Sequence, residues 1–362
     1  MDGSSRVGRD HPNRARHALA ALLLAIAACG DDGGGSGVDA TPPPGDAAVA
    51  TDASLEVDAC ACTTSDPGEP GPQATTTASV DLALPGATIP LTIYAPVGPG
   101  RFPAVVFHHG FQLAPAQYAS YGAHLASWGY VVVMPQMPSG LIGGPTHRDL
   151  AGYVVGILDW LDAQATATSG PLAGRVDAAH VALAGHSMGG KISMLTAASD
   201  PRPRAVVGID PVDAVGSPLP VSATDYPSVT PELMGAITAP IAMLGELTNA
   251  TCSGALCQAC APAADNFHQY YEHATHAAIE IEVVGASHMS FLDDPACGFT
   301  CSSCPAGTDD PATSRRLTRR YLTAFLNVTL RGLPAYRSYL IGADMAGDVA
   351  AGRVRAAAKN GL

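Results

Sequence analysis

The chain has 362 residues, of which 47% are hydrophobic and 14% charged, and a formal net charge of −13 at pH 7. This length is ample for one large enzyme domain, and the acidic balance argues against a nucleic-acid partner, because phosphate backbones are held by concentrated positive charge. Beyond the first residues the one basic concentration is Arg315-Arg316 with Arg319-Arg320, whose helical spacing marks a solvent face.

At the N-terminus Arg6, Arg9, Arg14 and Arg16 precede an apolar run from Ala18 to Ala28 and then Cys29. A run this short does not span a bilayer as a helix, so residues 1–28 are expected to be an export signal. Its end, Ile26-Ala27-Ala28-Cys29, is similar to the lipobox of bacterial lipoproteins, where the cysteine is lipidated and becomes the new N-terminus. Ordinary cleavage and secretion is the alternative. Residues 29–74 contain Gly33-Gly34-Gly35-Ser36-Gly37 and Thr41-Pro42-Pro43-Pro44-Gly45 with few large apolar side chains, and are expected to form a flexible tether. Such a chain would be a lipid-anchored protein of a bacterial cell envelope, carrying its globular domain over residues 75–362.

Within that domain, β-type apolar runs near 80–84, 89–94, 103–108, 130–134, 180–185, 204–209, 240–245 and 278–284 alternate with stretches of helical character over 116–128, 146–164, 188–199, 263–276 and 310–330. Leu84-Pro85-Gly86-Ala87 separates the first two runs so closely that they form a hairpin. The rest predict an α/β fold, a mostly parallel eight-stranded sheet with helices on both faces. Gly185-His186-Ser187-Met188-Gly189 falls between the fifth run and the helix after it. This G-x-S-x-G form places a serine on a tight strand-to-helix turn, which makes Ser187 the candidate nucleophile and gives the α/β-hydrolase layout.

A serine hydroxyl is a weak nucleophile until a base takes its proton and an acid holds that base. His288, just beyond the last strand in Gly285-Ala286-Ser287-His288, is the candidate base. His268, His273 and His276 fall in a helix, His108 and His109 precede the nucleophile, and His186 is expected to point away from Ser187. For the acid, Asp210, Asp213 and Glu246 all follow strands, and position leaves the three open. An oxyanion hole needs two backbone donors, and the N–H groups of Met188 and of Phe111, after His109-Gly110, are placed to supply them.

Eight cysteines follow Cys29: Cys60 and Cys62, then Cys252, Cys257 and Cys260, then Cys297, Cys301 and Cys304. In an exported chain they are expected to form disulfides, those of the last two groups bracing the loops after the seventh and eighth strands. The C-x-x-C pairs Cys257/Cys260 and Cys301/Cys304 leave a zinc site as the alternative.

The stretch from Phe102 to Asp294 resembles the chlorophyllase branch of the α/β-hydrolases and is similar more widely to bacterial cutinases, polyester hydrolases and platelet-activating-factor acetylhydrolases. The resemblance rests on Val105-Val106-Phe107-His108-His109-Gly110-Phe111, Leu125-Ala126-Ser127-Trp128-Gly129-Tyr130, Gly185-His186-Ser187-Met188-Gly189-Gly190-Lys191, Val207-Gly208-Ile209-Asp210-Pro211-Val212-Asp213 and Gly285-Ala286-Ser287-His288-Met289. It implies that Asp210 is the triad acid, leaving Asp213 and Asp294 as structural or rim carboxylates. Met188 stands where chlorophyllases usually have arginine, so the resemblance implies ester hydrolysis rather than a particular ester. The chain is thus expected to be a serine carboxylic-ester hydrolase with Ser187, Asp210 and His288 catalytic and Phe111 and Met188 at the oxyanion, requiring no metal or organic cofactor. A small-molecule or lipid-like ester is its expected substrate. A lipase or cutinase-like polyester hydrolase, and a non-catalytic binding protein on the same fold, are the alternatives.

Overall fold

The computed structural model describes residues 65–140, 143–215, 220–252 and 259–362. The export signal, Cys29, most of the tether, Cys60, Cys62 and Cys257 lie outside the described residues.

Six strands form a parallel centre: β3 (Phe102–His108), β4 (Val131–Pro135), β5 (Val176–His186), β6 (Pro203–Ile209), β7 (Ile241–Gly245) and β8 (Ala278–Val283). Their near-continuous apolar sequences follow from burial on both faces. Successive side chains serve opposite layers: Val105 and Phe107 of β3 join one core cluster, Ala104 and Val106 the other. β1 (Thr75–Leu84) and β2 (Ala87–Pro96) make the expected hairpin, its turn using Gly86 at φ 83°.

One helical layer comprises α1 (Ala119–Ser127) and α6 (Pro311–Thr329), which bury Tyr121, Leu125, Tyr321 and Phe325 against the sheet. The opposite layer holds α2 (His147–Thr166), α3 (Met188–Ala197) and α4 (Phe267–His273), with Val154, Ile157, Ile192 and Tyr270 inward. Short helices α5 (Phe299–Ser302), α7 (Ser338–Ile341) and α8 (Ala343–Ala350) belong to the C-terminal part. Among the described residues no helix is long and apolar enough to cross a membrane.

The sheet runs β1-β2-β4-β3-β5-β6-β7-β8-β9, where β9 (Val354–Lys359) pairs antiparallel with β8. Nine strands therefore replace the eight expected. β9 lies at the sheet edge and buries only Val354, so its Val354-Arg355-Ala356-Ala357-Ala358-Lys359 sequence shows no strand-like alternation of apolar residues. The order reverses around β3, whose neighbours are β4 and β5, and such a reversal opens a crevice at the strands' carboxyl ends.

Residues 65–74, expected to be tether, are instead ordered against α1 and α6. Asp66 pairs with Arg316 at 2.6 Å and Arg320 at 2.9 Å, the Pro67 carbonyl accepts from His124, and the Gly71 amide donates to Ser127 Oγ. Polar partners rather than apolar burial fix this segment, which is why its composition read as unfolded.

Candidate active site

The crevice is built from the loops that leave β3, β5, β6, β7 and β8. At the end of β5 the chain must reverse into α3 within one residue, and Ser187 takes φ 54° and ψ −123° to do so. A side chain at Gly185 would come within 2.4 Å of the Gly189 carbonyl, and one at Gly189 within 2.4 Å of the His108 carbonyl. Glycine at both places lets β5, α3 and the end of β3 close upon each other, holding Ser187 Oγ at the sheet's carboxyl edge.

His288 opens a single turn of tight helix after β8, and its Nε2 lies 2.9 Å from Ser187 Oγ. Its Nδ1–H donates to Asp210 Oδ2 at 2.6 Å. Asp210 directly follows β6 at φ 44°, a left-handed conformation that turns its carboxylate off the strand axis. The Asp210 side chain is fully buried and that of His288 is 5% exposed, so this line runs from solvent-facing serine to a dry carboxylate. Because Nδ1 donates, Nε2 is left to accept the serine proton.

Glu246, the other acid at a strand end, lies behind this line. Its Oε2 accepts from the Asn249 amide at 2.8 Å, and its own amide donates to Asp210 Oδ1 at 3.3 Å. Burial and the neighbouring Asp210 charge push its carboxyl well above the usual carboxylate range. Donor atoms of Asp210, Glu246 and His288 lie within 4.8 Å of one another, the spacing of a metal triad. Both ring nitrogens of His288 are engaged, one by Asp210 and one by Ser187.

Three residues that the sequence did not single out for the site hold it in shape. Asn249 Oδ1 accepts from the His288 amide at 2.7 Å, while its Nδ2 donates to Pro305. His186, expected to point away, does leave the serine but lies beneath His288, their ring centres 4.6 Å apart. Its Nε2–H donates to the His288 carbonyl at 2.9 Å and its Nδ1 accepts from Tyr118 Oη–H at 2.8 Å, while the Tyr118 oxygen accepts from the Gly110 amide at 3.2 Å. This chain ties the loop after β3 to the loop after β8. Burial and the nearby His288 hold His186 well below the usual histidine range, so it stays neutral.

In the loop after β3, His109 Nδ1–H donates to the Gly110 carbonyl at 2.8 Å and its Nε2 accepts from the Met137 amide at 2.9 Å. Drawing that carbonyl toward His109 directs the N–H of the same planar peptide, that of Phe111, the other way. Met188 is the first residue of α3, where an amide has no partner within the helix. Among the described residues neither the Phe111 nor the Met188 amide is taken by another group. Phe111 and Met188 also line a cavity of about 40 Å³ with Leu150, Val215, Tyr226 and His147. His147 Nδ1 is buried without a hydrogen-bond partner among the described residues, and its ring is held neutral by burial and the Lys191 charge.

Asp213 is apart from this line: it receives Ser228 Oγ, the Val229 and Thr230 amides and Thr230 Oγ1, and pairs with fully buried Lys191 at 3.1 Å. Asp294 caps the Ala296 amide. Cys260–Cys304 joins the loop after β7 to the loop after β8, and Cys297–Cys301 closes a turn beside it. With Cys252 also in a disulfide, these sulfurs are not available as zinc ligands. His268, His273 and His276 lie at the surface, bonded to Glu280, the Gln269 carbonyl and Thr275.

A family model described as Chlorophyllase matches residues 64–341. The chain belongs to the chlorophyllase family. It is 28% identical to Chlorophyllase-2 of Arabidopsis thaliana over 264 residues, which is 69% of this chain and 80% of that protein. Chlorophyllase-1 of the same plant is 29% identical over 258 residues, 67% of this chain and 76% of its own length. Chlorophyllase-1, chloroplastic, of Citrus sinensis is 26% identical over 243 residues, covering 66% and 71%. Membership of the chlorophyllase family supports an ester hydrolase of the α/β-hydrolase type.

Proposed function

We propose that this chlorophyllase-family chain is a serine carboxylic-ester hydrolase. The observation that carries the proposal is the unbroken hydrogen-bonded line from Ser187 Oγ through His288 to buried Asp210. Ser187 attacks the ester carbonyl while His288 Nε2 takes its proton; Asp210 holds the imidazole's tautomer and offsets its positive charge. The Phe111 and Met188 amides receive the oxyanion. His288 returns the proton to the departing alcohol, and water then releases the acyl group by the same steps in reverse order of partners.

The cavity lined by Phe111 and Met188 lies beside the oxyanion donors, where the acyl group of a small ester would sit. A second reading, a lipase or cutinase-like polyester hydrolase, is favoured by the apolar side chains of Phe111, Met188, Leu150 and Val215 in that lining. A panel of nitrophenyl esters of rising chain length, emulsified triglyceride and soluble polyester fragments separates the two. Activity confined to short chains supports the first, and a preference for emulsion or polymer supports the second. Loss of activity in Glu246→Gln with retention in Asp210→Asn would transfer the acid role to Glu246. Anchoring through lipidated Cys29 belongs to the same proposal on the sequence alone; Cys29→Ala should release the protein from the membrane fraction, and unaltered fractionation would rule the anchor out.

A further inference from the structure

The catalytic line uses one carboxylate, yet two are buried together at the edge of the sheet. Asp210 and Glu246 directly follow the neighbouring parallel strands β6 and β7, and neither is exposed. Among the described residues no lysine or arginine forms an ion pair with either carboxyl. Among the described residues Asp210 Oδ1 has only the long 3.3 Å bond from the Glu246 amide, and Glu246 Oε1 has no partner of its own. Two carboxylates this close in a dry site do not both ionise, because mutual repulsion adds to the cost of burying each charge. Of the two, Asp210 faces the imidazole that becomes positive during catalysis, whereas Glu246 faces the Asn249 amide and Asp210.

We propose that Glu246 is a positioning residue for the ester hydrolysis described above: it carries the proton of a two-carboxyl pair, presents that O–H to Asp210 Oδ1, and so leaves Asp210 as the single negative charge facing His288. The proposal rests on the assignment of Ser187, His288 and Asp210 to catalysis. A protonated Glu246 adds an O–H donor to Asp210 Oδ1 beside the long bond from the Glu246 amide, and it does so without a cation that would compete with the imidazolium for Asp210. Burial and the Asp210 charge act in the same direction on Glu246, raising its carboxyl. The titratable groups that face the pair are His288 from the loop after β8 and, beyond it, neutral His186 from β5 with Tyr118 hydrogen-bonded behind it. Ionisation of Glu246 places a second negative charge beside Asp210, forces the carboxylates apart and costs His288 its alignment. Activity is therefore expected to fall reversibly as the pH rises through the range in which Glu246 loses its proton.

The test compares wild type, Glu246→Gln and Glu246→Leu by kcat and KM on a short-chain nitrophenyl ester from pH 6 to 10.5. Glutamine keeps a donor to Asp210 that cannot ionise, so it is expected to lose less than tenfold in kcat and to abolish the alkaline decline. Leucine removes the donor and is expected to lower kcat by a hundredfold or more with KM within threefold, since Glu246 does not reach the substrate. An alkaline decline that persists in Glu246→Gln, or equal kcat values for the glutamine and leucine variants, overturns the proposal. An independent reading comes from the infrared carboxylic-acid C=O band of wild type at neutral pH, which is expected to vanish in Glu246→Gln; a wild-type spectrum without that band also overturns it. A wild type that hydrolyses no ester while retaining the band would instead count against the catalytic assignment and leave the buried pair standing.

Discussion

Asp210 and Asp213 stand on one turn after β6, both buried, and their surroundings differ in a way that sets the proposed triad acid apart from a carboxylate that fixes a loop. Asp213 is saturated by hydroxyl, amide and ammonium donors. Burial by itself would raise its carboxyl, but the Lys191 charge and the Ser228, Thr230 and Val229 hydrogen bonds outweigh that and hold it below the usual range. Asp210 has the His288 ring on one oxygen and a single long amide bond on the other. A carboxylate with every lone pair filled fixes a loop; one with its charge turned to a single imidazole can answer a proton that arrives there. Sequence position alone does not distinguish the two.

The largest expected effects fall on the first member of this comparison. Asp210→Asn should lower kcat about 10⁴-fold in a fold of unchanged melting temperature, as expected when a triad acid becomes neutral. A loss under tenfold would remove Asp210 from the catalytic line. Asp213→Asn should do the opposite: it strands Lys191, whose side chain is 0% exposed, and is expected to cost about 3–5 kcal/mol of stability while the folded fraction keeps its kcat. Chemical denaturation of the two variants reads the contrast. Pairing Asp213→Asn with Lys191→Met should recover part of that loss, a coupling that a double-mutant cycle measures directly.

A smaller effect is expected from opening Cys260–Cys304, which spans 44 residues and ties the loop of Glu246 and Asn249 to the loop beyond His288. Cys260→Ser with Cys304→Ser should lower stability by about 3–4 kcal/mol from loop entropy. It should also weaken the Asn249 to Pro305 contact that steadies the His288 amide, lowering kcat severalfold. Unchanged melting and unchanged kcat would detach the disulfide from the site.

The smallest effect per group is the acid dependence of stability. Burial holds His108 at about 3, and His124 and His147 at about 4, all below the histidine value of 6.5. Their folded pKa values are depressed, so the unfolded chain binds more protons between these values and 6.5. Stability is therefore present above pH 6.5 and lost as the pH falls, by up to about 1.4 kcal/mol per pH unit for each histidine. Urea titrations at pH 7, 6 and 5 should show this decline, and a flat profile would contradict it.

The central strands were legible because burial on both faces writes unbroken apolar runs such as Val131-Val132-Val133, and the elbow because steric closure demands glycine at 185 and 189. Ser187, Asp210, His288, Phe111 and Met188, named from motif and resemblance, lie together around one crevice. Asn249, Tyr118 and His186 were not legible in their actual parts. Each acts through a partner far along the chain: Asn249 through the His288 amide, and Tyr118 through a ring on β5. The histidine of Gly185-His186-Ser187 was the one available signal, since a ring at the end of a buried strand must find hydrogen-bond partners. β9 and residues 65–74 escaped for the same physical reason, being held by edge pairing and ion pairs rather than by apolar pattern.

The most direct test of the account is labelling with a fluorophosphonate, which bonds covalently only to a serine whose proton a neighbouring base can remove. Folded wild-type protein should be labelled to near one equivalent, with the adduct mapped to Ser187, and labelling should collapse in His288→Ala. A folded wild type unlabelled at Ser187, or a His288→Ala variant labelled as fast as wild type, would contradict the catalytic line from Ser187 to Asp210.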